Sequence, residues 1–255
     1  MTAKHLHIDI ETYSSVDIKK SGAYAYAESP DFEILILAYA FDAEEVRVVD
    51  LAMGEEYPAE FLEALTDPTV LKYAHNAAFE RVCFAAVGLV TEIEQWFCTA
   101  ILSSYAGLPL GLDDVSKALG FTDKAKLKTG KDLIRYFSSP QKPKKANGFK
   151  HRNLPSDDPE KWELYKEYCK QDVVAERAIC ERLKAYTIPE LERRHYFLDQ
   201  KINDRGIKLH LGLAEIASRT YSTYSEQLKE QIREITGLAK SSDAEIKKWL
   251  SEQLG

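Results

Sequence analysis

The chain has 255 residues, is 45% hydrophobic and 29% charged, and carries a formal net charge of −7. That length holds one large domain, or one domain with a small appendage, and the composition is that of an ordinary globular protein able to bury a core. The acidic balance argues against a protein that coats nucleic acid indiscriminately, although carboxylates gathered around cations can still meet phosphate.

In chain order, Leu6 to Ile10 alternates apolar and polar residues and reads as a strand. Phe32 to Phe41 is a nearly continuous apolar run, suited to a strand buried on both faces. Glu45 to Leu51 reads as its hairpin partner, with Asp42-Ala43-Glu44 in the turn. Helices are expected over Ala59–Leu65 and Ala77–Val87, with a strand over Val70–Ala74 between them. The class is therefore α/β or α+β, a mixed sheet with flanking helices. From residue 96 onward the pattern is mainly helical, with short helices over Leu112–Leu119 and Lys131–Phe137. Between 138 and 156, Pro140, Pro143, Gly148 and Pro155 break any regular element. This loop carries Lys142, Lys144, Lys145, Lys150, His151 and Arg152 and no acid; it is either a solvated surface loop or a mobile arm that touches phosphates. Asp158-Pro159-Glu160 then starts a long helix running to about Tyr186, with proline in its first turn and acids at its positive end. Ile188-Pro189-Glu190 restarts the chain as another helix that ends at Asp204-Arg205-Gly206, and helices over 213–237 and 243–254 follow, a C-terminal helical extension.

No apolar run approaches the length of a membrane span, and Met1 to His7 shows no export leader. Cys83, Cys98, Cys169 and Cys180 are scattered without a C-x-x-C. They read as reduced, mostly buried thiols.

Three carboxylate-bearing segments stand out. Asp9 and Glu11 are two apart on a strand, so both face the same side. Like charges set so close make physical sense around a cation, and hard oxygen donors suit Mg²⁺ or Mn²⁺. By itself a D-x-E also fits the solvent face of an edge strand. In YAHNAAFE, a strand gives way to a helix at Asn76, a candidate N-cap, with Glu80 one turn inside. An acid in a first turn is commonplace for dipole reasons, but this junction lies where it would aim Glu80 at Asp9 and Glu11. In YCKQD, Tyr168 and Asp172 are four apart on the long helix and share a face. Four acids around two cations about 3.5–4 Å apart form the arrangement that in-line phosphodiester hydrolysis needs.

The D-x-E strand, the N-x-x-F-E junction and the Y-x-x-x-D helix resemble the three motifs of the DEDDy 3′→5′ exonucleases, over roughly residues 5–187. IETYSSVDIKKSGAYAYAESPDFEILILAYAF, YAHNAAFERVCF and YKEYCKQDVVAE look like the exonuclease part of phage or prophage family A DNA polymerases, and NDRGIKLH looks like the link into a polymerase thumb. The resemblance implies a ribonuclease H-like exonuclease domain over 1–187, a helical segment over 188–255 leading to a polymerase domain, and a place in the cytoplasm of a bacterial host. It implies that Asp9 and Asp172 hold the tighter metal, with Asp9 bridging to the second. Glu11 then helps hold the first metal and meets the terminal 3′ hydroxyl, Glu80 supports the second metal through water, and Tyr168 positions the attacking water. Asn76 and the Thr12 backbone would contact the terminal nucleotide of single-stranded DNA or a primer 3′ end, with His75, Lys145 and Arg152 as further substrate contacts. Tyr165 does not fit the Y-x-x-x-D spacing. Glu80 departs from the wider family's aspartate. Rival readings are an RNA 3′→5′ exonuclease with the same carboxylates and an inactive module that only holds a primer end.

Overall fold

Alternation along β1 (His5–Tyr13) divides the strand between two cores. Leu6, Ile8 and Ile10 enter one, while His7, Asp9 and Glu11 meet side chains of the long helix on the other face. The computed structural model describes residues 5–121, 130–240 and 242–254, so the first four residues of the stretch read for an export leader lie outside it. After β1 come α1 (Ile18–Ala27), β2 (Glu33–Phe41), β3 (Arg47–Val49), α2 (Ala59–Thr66), β4 (Leu71–Ala74) and α3 (Ala77–Ala86). Next are β5 (Trp96–Cys98), α4 (Thr99–Tyr105), α5 (Leu112–Ala118), α6 (Gly130–Phe137), α7 (Pro159–Leu183), α8 (Glu190–Arg205), α9 (Leu211–Thr236) and α10 (Asp243–Leu254).

The sheet has the order β3-β2-β1-β4-β5. β1 runs antiparallel to β2 and parallel to β4, and β4 runs parallel to β5. This mixed sheet with helices on both faces is the ribonuclease H-like α/β arrangement expected. On one face, α2 and α3 contribute Phe61, Leu65, Cys83 and Phe84 to the core. On the other, α6 and α7 contribute Leu133, Phe137, Trp162, Tyr165, Tyr168, Cys169 and Val173. Such two-sided burial explains why β2 is apolar almost throughout.

A β-bulge marks the end of β1. Glu11 pairs with Ile36 but Thr12 pairs with Ile34, so Leu35 is the extra residue. Its insertion moves Leu35 into the same core as Ile36, while Ile34 joins the opposite one. Bulges bend a strand and increase its twist, here beside Glu11.

Two elements were not expected. In α1, Gly22 adopts φ +78° and interrupts the helix, and only Tyr26 and Ala27 are buried, so there is little apolar periodicity to read. β5 is three residues long and runs directly into α4, too short to show a period of two. The long helix begins where expected: the Asp158 side chain accepts from the Lys161 backbone N–H at 3.1 Å and Pro159 follows it.

Packing divides the chain into compact units 1–203 and 204–255. Most of α8 belongs with the first unit, beyond the limit at 187 drawn from sequence, because its side chains are tied there. The Arg81 guanidinium donates to Gln200 Oε1 at 3.1 Å, Lys201 pairs with Glu94 at 2.5 Å, and Tyr196 packs against the α2/α3 core. In the second unit, α9 closes on Gly237 at φ +70°, whose N–H donates to the Arg233 carbonyl. Among the described residues no helix is long and apolar enough to cross a membrane.

Candidate active site

Strand β1 and helix α7 bring the predicted acids together. Asp9 and Glu11 leave β1 on the α7 side, and Asp172 is buried on the helix opposite. Tyr168, one turn before Asp172, is nearly buried. Its phenol is pushed well above the usual range, first by burial and then by the charges of Asp172, Glu11 and Asp9. A phenol in that setting stays neutral and keeps its proton to donate. Asp113 on α5 adds a further acid near it.

Glu80 arrives from α3 and is 3% exposed. Burial raises its pKa well above the normal carboxylate range, and the Asp9 charge raises it further. Glu80 Oε2 is buried without a hydrogen-bond partner. The first-turn acid is therefore not a solvated dipole partner but a side chain turned inward toward Asp9, as expected from the strand-to-helix junction.

Several neighbours of these acids leave no mark in local spacing. Tyr165, which is fully buried, donates its hydroxyl proton to Glu11 Oε2. The Cys169 thiol lies 3.3 Å from Asp9 Oδ2 and donates to it, and burial with the Asp9 charge raises that thiol's pKa. Glu176, one turn after Asp172 and 1% exposed, pairs with His7 Nδ1 at 2.6 Å. Gly130, the first residue of α6, lies against the Tyr168 ring so closely that a Cβ there would fall 2.0 Å from its Cε2. Each of these joins segments far apart in the chain, so neither spacing nor periodicity could signal it.

The expected substrate contacts fall in varied settings. Asn76 occupies the N-cap position of α3, but in the left-handed conformation (φ +81°) and with no side-chain capping bond. It is exposed, so its amide is not spent on the helix. His75 is held through both ring nitrogens, to Thr99 Oγ1 at 3.1 Å and to the Leu110 carbonyl at 2.7 Å. The Thr12 hydroxyl is buried and engaged with Tyr26 at 2.9 Å. Lys145 is exposed. Arg152 is anchored: its guanidinium lies 3.9 Å over the Tyr13 ring and pairs with Glu33 at 2.5 Å. That anchor, a Lys150–Asp157 pair and bonds from Asn147 to the Lys142 and Lys150 carbonyls tie the basic loop down. All four cysteines are free thiols, with Cys83, Cys98 and Cys169 buried.

The donors of the cluster are hard carboxylate oxygens, the chemistry that Mg²⁺ and Mn²⁺ take. With its orphaned Glu80 oxygen, the donor set fits a divalent cation. As they stand, no three His, Cys, Asp or Glu side chains among the described residues are drawn close enough to grip one ion. Like charges keep apart unless a cation stands between them.

No family model matches the chain. It is 50% identical, over 252 residues and 98% of its length, to a DNA polymerase of Bacillus phage SP02. The chain is a relative of part of a phage DNA polymerase. It spans 39% of that polymerase's length. Solved structures similar to it include an apo-form nuclease, at 19% identity over 77% of this chain and 79% of the other with a TM-score of 0.41. Brucella melitensis NrnC bound to pGG is similar at 16% identity over 78% of each chain, with a TM-score of 0.39.

Proposed function

We propose that the chain is a divalent-metal-dependent 3′→5′ exonuclease acting on DNA 3′ ends, the proofreading part of a phage-type DNA polymerase. The observation that carries this reading is the inward-facing group of Asp9, Glu11, Glu80 and Asp172, from three separate elements, around the neutral phenol of Tyr168. Burying like charges together is costly unless a cation offsets them. Kinship with a phage DNA polymerase favours DNA over RNA as the substrate and a following polymerase domain in the whole protein.

On this reading Asp9 and Asp172, with help from Glu11, would hold the tighter of two Mg²⁺ or Mn²⁺ ions, and Asp9 and Glu80 would support the second. When bound, the ions acidify a water and stabilise the departing 3′ oxygen. Tyr168 keeps its proton and orients the attacking water by hydrogen bond. Glu11 accepts from the terminal 3′ hydroxyl. Asn76, with its exposed amide and left-handed backbone at the mouth of α3, meets the terminal nucleotide together with the Thr12 backbone, and Lys145 meets the phosphates upstream.

The test is digestion of 3′- and 5′-labelled single-stranded DNA, beside RNA of the same sequence, with Mg²⁺, Mn²⁺ or a chelator. Release of mononucleotides from the DNA 3′ end is expected, abolished by chelation and by Asp9→Asn or Asp172→Asn. Cleavage that persists in both variants would place the chemistry elsewhere. Preference for RNA would favour the RNA-trimming reading, and binding of primer ends without cleavage the inactive one.

A further inference from the structure

We infer that Tyr165 is a positioning residue for this centre, acting through Glu11 with Ser138 behind it. The inference rests on the proposed function. Tyr165 and Tyr168 lie one turn apart on α7 with ring centroids 6.2 Å apart, yet they face different tasks. The Tyr165 hydroxyl gives its proton to Glu11 Oε2. Its oxygen is 2.6 Å from Ser138 Oγ. Because the Tyr165 proton is committed to Glu11, the serine must be the donor in that contact. A directed chain results, Ser138 to Tyr165 to Glu11.

Each link is held rigidly. The Tyr165 ring is fully buried and stacked on Phe137, with centroids 5.5 Å apart and planes 15° apart, and Trp162 packs edge-on at 5.9 Å. Ser138 follows directly after α6, its backbone N–H bonded to the Ile134 carbonyl at 2.8 Å. Glu11 sits beside the bulge at Leu35. A glutamate side chain has three rotatable bonds, and a carboxylate that must ligate a metal loses affinity if it wanders. The buried tyrosine fixes one oxygen of Glu11 and so fixes the orientation of the whole carboxylate.

The phenol can be removed without disturbing the packing, since Tyr165→Phe keeps the ring between Phe137 and Trp162. The experiment titrates Mn²⁺ into the protein and reads the free-ion electron paramagnetic resonance signal for wild type, Tyr165→Phe, Ser138→Ala and Glu11→Gln, with Tm measured alongside. Tyr165→Phe is expected to weaken Mn²⁺ binding about tenfold, with Ser138→Ala showing a smaller loss in the same direction. Raising Mn²⁺ should restore the DNA-degrading rate of Tyr165→Phe, a rescue that a merely structural defect would not show. Wild-type Mn²⁺ affinity in both Tyr165→Phe and Ser138→Ala, with affinity lost in Glu11→Gln, would overturn the inference and leave the metal centre standing. Wild-type affinity in Glu11→Gln as well would overturn the assignment of Glu11 to the metal centre, and the inference with it.

Discussion

Adding one methyl group at Gly130 should disable the centre without touching any acid. An ideal Cβ at this position falls 2.0 Å from Tyr168 Cε2, 2.6 Å from Cδ2 and 3.0 Å from Cζ. Carbon atoms in contact sit about 3.5–4.0 Å apart, so the ring or the start of α6 must retreat by about 1.5 Å. The ring has little freedom to do so, with Tyr165 beside it and Asp172 one turn further along the same helix. Displacements of about 1 Å at a reacting centre cost on the order of a hundredfold in rate. Overpacking a core costs about 1–3 kcal/mol, and at about 2–4 °C per kcal/mol for a chain of this size Tm falls by up to about 12 °C. Single-turnover digestion of single-stranded DNA, with Tm by calorimetry, measures both. Gly130→Ala is expected to lose about a hundredfold in kcat while remaining folded at the assay temperature. In a Tyr168→Ala background the same change should cost little further, because the ring it displaces is gone and the two effects are coupled. A wild-type rate for Gly130→Ala, when Tyr168→Phe is impaired, would refute the steric argument.

Two further outcomes follow from buried charge. Lys72 is fully buried, its ammonium donating to the Asp67 carbonyl at 2.7 Å and to Gln95 Oε1 at 3.1 Å, and burial lowers its pKa to about 8. Above pH 8 the unfolded chain then holds a proton that the folded chain has released, so stability rises with pH until the unfolded lysine also titrates; allowing for solvent screening, the gain is about 1–2 kcal/mol between pH 8 and 10. Lys72→Met should abolish that rise, and chemical denaturation at several pH values would expose an unchanged slope if the argument is wrong. Glu80→Gln removes an acid that folding must either protonate or bury as a charge beside Asp9, so in the presence of a chelator its Tm should rise by a few °C, while divalent cations should stabilise the wild type more than the variant; a Tm that falls in chelator would mean that the folded protein already compensates Glu80.

Much of the centre was already written in local spacing. The alternation of β1 sets Asp9 and Glu11 on one face whatever else the chain does, and the turn of α7 sets Tyr168 over Asp172. Both relations follow from backbone geometry alone, and so did the long helix with its Asp158 cap and the two-sided burial of β2. Other features depended on what lies across the fold. That Glu80 turns inward rather than to solvent depends on where α3 docks against β1. Tyr165 misses the four-residue spacing to Asp172, yet its hydroxyl meets Glu11 across 154 positions of sequence. Gly130 carries no signal in local spacing, and its contact with Tyr168 exists only because α6 packs against α7; Arg152, in a loop without acids, is tied by Glu33 and Tyr13 from the far end of the chain. Periodicity is a property of the backbone and can be read residue by residue. The company a side chain keeps is decided by how sheet and helices pack to bury their apolar faces, and only the tertiary structure settles that.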